Sequence, residues 1–174
     1  MNSNDTDEEK RIIEFSNRVI EAFNFLEEEY EYIRKELERE DFDYPVEKKV
    51  VIRFFSQKIA VEVIWYIGNC DIAIGLYELQ NGKIPENVSV YGHKGYGRAI
   101  NLDSLVRMLT DGQVKSPIPH SVHKADEIIR KNMKIILGTF AERLKKYATN
   151  ILKGDTSIFP KVQEYHRKYW EVEI

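Results

Sequence analysis

Residues 50–79 read VVIRFFSQKIAVEVIWYIGNCDIAIGLYEL, and the alternation inside this stretch decides the fold. Val50, Ile52 and Phe54 alternate with Val51, Arg53 and Phe55, and β-branched and aromatic side chains dominate, as in a strand with a period of two. Ser56-Gln57-Lys58 separates this run from Ile59 to Tyr66, where Ile59, Val61, Val63 and Trp65 share one face and Ala60, Glu62, Ile64 and Tyr66 the other. Gly68-Asn69 then separates the second run from a third, Asp71 to Leu79. Connectors this short close hairpins and cannot carry parallel crossovers, so the spacing predicts an antiparallel meander. Asn81-Gly82 marks a further turn, and Val88 to Tyr91, after Pro85, is a candidate fourth strand.

Helical spacing flanks this block on both sides. Ile12, Phe15, Val19, Phe23, Leu26, Tyr30, Ile33 and Leu37 fall in steps of three and four, which predicts one long amphipathic helix from Asp7 to about Glu40, capped by Asp5, Thr6 or Asp7. Asn101 is placed to cap a short helix carrying Leu102, Leu105, Val106 and Leu109, which Asp111-Gly112 ends. After a linker with Pro117 and Pro119, a second long stripe runs from Val122 to Ile151. Gly154 stops it, and Asp155 starts a last helix whose regular part follows Pro160. The expected architecture is a single α+β domain over 1–174, with residues 1–6 a flexible start. In it an antiparallel three- to four-stranded meander packs against two long helices and shorter C-terminal helices.

Composition bounds the function classes. The chain has 174 residues, 43% of them hydrophobic and 32% charged, and no apolar run approaches the ~18 residues of a membrane span. The start MNSNDTDEEK is polar and acidic, the opposite of a secretory signal, and the lone Cys70 offers neither a disulfide nor a thiolate cluster. The expectation is a cytoplasmic protein without a membrane partner. Residues 1–47 carry 16 acidic against 6 basic side chains, and residues 48–174 carry 13 against 20. Two fields of opposite sign favour a charged partner, a homo-oligomer, or internal neutralisation. The cations are scattered rather than striped, which argues against nucleic acid.

Motifs that would carry chemistry are weak. In GHKGYGRAI, residues 92–100, Lys94, Gly95, Gly97 and Arg98 lead toward a helix start and offer an anion or nucleotide site, but without the ending of a phosphate loop. His120 and His123 are three apart with no third ligand in pattern, so neither a metal nor another cofactor is expected. Glu62, Asp71 and Glu47 do not match a nuclease spacing, and Glu62 reads as an exposed cross-strand position. Ser56, Ser104 and Ser121 lack a nucleophile elbow. With no motif fixing a reaction, a non-enzymatic role is favoured.

The densest signal is acidic. Glu27, Glu28, Glu31, Glu36, Glu38, Asp41 and Asp43, with Tyr32 among them, crowd the later part of the first stripe and its exit, a candidate face for a basic protein partner. The segments FNFLEEEYEY (23–32), VIRFFSQKIAVEVIWY (51–66) and LKGDTSIFPKVQEYHRK (152–168) resemble a loose set of small bacterial proteins, some of them immunity proteins of polymorphic toxin systems. Shared are a phrase of the type FL…YGF before a strand hairpin and L-x-GD…F near the end. Here Glu31 follows Tyr30 and the glycine of the first phrase is missing. The resemblance implies a toxin-like basic partner and no catalytic residues.

Overall fold

The computed structural model describes residues 3–42, 47–67, 71–86, 88, 98–118 and 122–171. In chain order the elements are α1 (Ser3–Phe23), α2 (Phe25–Glu28), β1 (Ile33–Arg34), β2 (Glu38–Phe42), β3 (Glu47–Phe55), β4 (Ile59–Tyr66), β5 (Asp71–Glu78), β6 (Ala99–Asn101), α3 (Leu102–Leu109), α4 (Val122–Tyr147), α5 (Thr149–Leu152) and α6 (Phe159–Glu171). The chain is α+β, with a fully antiparallel sheet in the order β1-β3-β4-β5-β6 and β2 also paired to β3.

The meander forms as its alternation predicts. Val50, Ile52, Phe54, Val61, Val63, Trp65, Ile72, Ile74 and Leu76 point to one face and join the main core with Phe15, Val19 and Phe23 of α1 and Ile129, Leu137, Phe140 and Leu144 of α4. Phe15 lies 5.6 Å from Trp65 and Phe23 6.3 Å from Phe54, ring centre to ring centre, so α1 is keyed to the sheet by aromatic contacts. Each fully buried side chain of this size contributes about 1.5–3 kcal/mol. Asn101 caps α3 as its position suggests, its side chain accepting from the Asp103 amide at 2.8 Å.

The first long stripe departs from expectation. Instead of one helix to about Glu40, α1 ends at Phe23, α2 adds one turn, and the chain reverses at Glu31, whose φ is +58°. Residues 33–42 then run antiparallel to β3 as an edge strand. Leu26, Tyr30, Ile33 and Leu37 keep helical spacing, yet Ile33 is 66% exposed, which no continuous core stripe would allow. Tertiary pairing overrides the local pattern here: β3 would otherwise be the sheet's edge, with its ladder groups and cations unmatched.

This edge strand is bulged. Ile33 pairs with Phe55 and Arg34 with Phe54, but Glu38 pairs with Val51, so four steps on one strand oppose three on the other. The extra residue inverts the strand's phase. Arg39 consequently faces the helix layer, where it meets Glu9 at 2.7 Å, while Glu38 and Glu40 face the opposite side.

The strand that follows the meander and pairs with β5 is β6. Residues 89–91 of the predicted strand lie outside the described residues, and Val88 packs without strand pairing beside Ala60, Tyr77 and Ala99.

Candidate functional site

The bulge assembles a polar network on the sheet face away from the core helices. Arg53 Nε donates to Glu62 at 2.6 Å, Nη2 donates to Glu40 at 2.6 Å, and Nη1 meets Glu38; Lys49 reaches the other oxygen of Glu40 at 2.7 Å. Arg53, Glu62, Gly75 and Asn101 stand opposite one another in one row across β3, β4, β5 and β6. Gly75 adds no side chain beside Glu62, and Tyr77, two residues along β5 from Gly75, feels the Glu62 carboxylate.

Glu62 is therefore not the exposed cross-strand position its pattern suggests: it is 5% exposed and ion-paired. A carboxylate this buried needs its partners, because desolvation of an unpaired charge is costly. Burial and then the neighbouring Glu62 push the Tyr77 hydroxyl well above its ordinary range. Burial alone would lower the Arg53 pKa, but Glu62 and Glu40 outweigh it and raise it further. Burial would likewise raise Glu40, and here Lys49 and Arg53 prevail and lower it. The shifts of Arg53, Glu40 and Tyr77 favour their ordinary charge states, and the ion pairs tie β2 to β3 and β4.

The acidic set of 27–43 is thus divided rather than gathered on one helical face. Glu27 at the end of α2 pairs with Arg34 at 3.4 Å, and Glu38 belongs to the network. Asp41 lies on β2 opposite Lys48 in register, and Asp43 is outside the described residues. Tyr32 is buried, its hydroxyl donating to the Leu152 carbonyl at 3.1 Å and pushed up to about 12 by burial, so it is a core residue and not a surface anchor. Glu28, Glu31 and Glu36 are exposed and have no ion-pair partner among the described residues. They flank Ile33, with exposed Lys35 the nearby cation and Glu29 engaged by Lys145 at 2.9 Å.

The other candidates do not converge. Lys94, Gly95 and Gly97 lie outside the described residues, and Arg98 pairs with Glu78 at 3.9 Å. His93 and His120 also lie outside, and His123 falls in the first turn of α4. Among the described residues no group of three or more His, Cys, Asp or Glu side chains is arranged to hold a metal. His166 of α6 instead holds Ser104 of α3 through Nδ1 at 2.7 Å, a link between helices that neither segment's pattern indicated.

The segments 23–32, 51–66 and 152–168 meet in space. Tyr32 ties the first to Leu152 of the last; Gly154, at φ +97°, packs where an added Cβ would lie 2.9 Å from Lys58 Cδ in the β3–β4 turn; and Phe159 is fully buried. Glu31 occupies the left-handed backbone region that glycine adopts most easily. Together these features define an α+β domain with a bulged, partly acidic sheet edge. Neither family models, curated proteins nor solved structures give a match to the chain. Among the described residues no helix is long and apolar enough to cross a membrane.

Proposed function

We propose that the chain is a non-enzymatic protein-binding domain of the immunity-inhibitor type, engaging a basic protein partner through the sheet edge around Ile33. The observation that carries this is Glu31. A non-glycine residue at φ +58° costs backbone energy, and the position spends it on a carboxylate that pairs with nothing among the described residues. Glu28 at the end of α2 and Glu36 between β1 and β2 bracket it, and the three carboxylates outnumber the exposed Lys35 beside the edge strand. Such a local excess of negative charge speeds encounter with a cationic surface and rejects like-charged ones, while Ile33 supplies an apolar contact inside a polar rim. The neighbouring acids Glu38 and Glu40 are already satisfied by Arg53 and Lys49 and serve the fold.

The test is pull-down and binding kinetics with the purified products of genes flanking its own. Reversal of Glu28, Glu31 and Glu36 to lysine is expected to slow association by about tenfold or more at low salt and to flatten its salt dependence. Absence of any partner, or an association rate untouched by the reversal, would refute the proposal.

A further inference from the structure

Helix α4 buries Ile129, Met133, Phe140 and Leu144 against the core. Its opposite face, set by about 3.6 residues per turn, carries Glu127, Lys131, Ile135, Gly138, Glu142 and Lys146. Ile135 is 68% exposed, the most exposed large hydrophobic side chain among the described residues. Gly138 lies one turn further on, inside a helix of 26 residues. Glycine weakens a helix interior relative to alanine, and nothing in the fold asks for it here: a Cβ built at Gly138 meets no atom within 4 Å. An exposed apolar knob therefore stands beside an open hollow, and a missing side chain lets a second backbone come close.

The charges on this face say what fills it. Cations on its flanks are taken within the chain, Lys134 by Glu21 at 3.4 Å, Lys145 by Glu29 at 2.9 Å and Arg143 by Asp103 at 3.4 Å. Between the flanks Glu127 and Lys131 engage only each other, in an exposed and hence weak pair, and exposed Glu142 and Lys146 make no ion pair among the described residues. Two copies of α4 laid antiparallel, with Ile135 of each over Gly138 of the other, share one midpoint. About that midpoint Lys131 stands opposite Glu142 and Glu127 opposite Lys146, so both charge pairs match, and each occurs twice across the two-fold axis. A slip of one turn in either direction sets Lys131 against Lys146 or Glu127 against Glu142, which repel. We infer that this face of α4 binds a second copy of the chain in that antiparallel register. The contact runs along about 28 Å of helix at 1.5 Å per residue. A single helix pair of that length stays below the roughly 1,200 Å² at which stable interfaces begin, so the dimer is weak and forms at micromolar concentrations and above.

Sedimentation velocity of the full chain from about 5 to 500 µM at low salt is expected to show the mass rising from one chain toward two. Gly138→Leu separates a contact from a merely structural glycine. Its side chain has open space in the free chain, so the variant is expected to melt at a higher temperature when dilute, yet to associate at least about tenfold more weakly. Lys131→Glu and Glu142→Lys each set like charges together across the axis and are expected to weaken association about fivefold or more; the double variant returns it to within about twofold of the parent. Reversal of Glu28, Glu31 and Glu36 to lysine is expected to leave self-association unchanged, which keeps this contact distinct from the acidic edge. A single-chain mass at every concentration, a Gly138→Leu variant that associates like the parent, a double variant no better than the single ones, or loss of association on reversing the three edge carboxylates would each overturn the inference.

Discussion

Glu31 and Arg53 show how differently two charged residues can serve one short segment. Glu31 sits at φ +58° with its side chain in solvent, so Glu31→Gly removes strain and loses no contact among the described residues. The variant is expected to be more stable by about 1 kcal/mol, read as a raised urea midpoint, while association with a basic partner weakens. Arg53 is the opposite case. Arg53→Met keeps the length of the side chain but strips Glu62, Glu38 and Glu40 of a shared cation, and Glu62 has almost no access to water. Denaturation should show a loss of about 3 kcal/mol or more, far beyond what an exposed pair would give.

Elements meet at Gly154, where the turn after α5 touches the β3–β4 hairpin. Gly154→Ala meets both a backbone penalty at φ +97° and the Lys58 side chain. The lysine stem can swing away, so the backbone term is expected to dominate: the alanine variant loses about 1–2 kcal/mol, and Lys58→Ala in the same chain recovers only a minor part. A full rescue by Lys58→Ala would assign the cost to crowding instead. That turn, the three central strands and the capped helix α3 were legible because their signals are local: a period of two, Gly and Asn at turns, and a cap residue before an apolar run. The edge strand was not. Leu26, Tyr30, Ile33 and Leu37 repeat at helical intervals, and only antiparallel pairing with β3, from Phe42 with Glu47 back to Ile33 with Phe55, makes 33–34 and 38–42 extended. Strand β6 was hidden for another reason, since three residues ending in a cap asparagine carry too little pattern to be seen. The polar row was missed because register, not sequence spacing, brings Arg53, Glu62, Gly75 and Asn101 into line.

Across the whole molecule, the acidic first quarter is fastened to the basic remainder. Glu8 meets Lys48, Glu21 meets Lys134, Glu29 meets Lys145, and Glu38 and Glu40 meet Arg53 and Lys49. Most of these pairs are exposed and individually weak, but Glu40 is half-buried and its pKa lies below the ordinary 4.5. A carboxyl lowered in the folded state stabilises fully above its unfolded value, and that contribution disappears as the pH falls through the folded value. Glu40→Gln should therefore cost most near neutrality, and the gap between its urea midpoint and the parent's should shrink on acidification below about pH 4.5. A gap independent of pH would place the effect in packing rather than charge. The bulge between Arg34 and Glu38 carries a different kind of consequence. Because one extra residue reverses the parity of all that follows, the segment 35–37 behaves like a reading frame. A substitution there alters one side chain, whereas deletion of a single residue would turn Glu38 and Glu40 under the helices and Arg39 onto the far face. Length in this stretch is held more tightly than identity, and a scan of insertions and deletions would meet its sharpest boundary there.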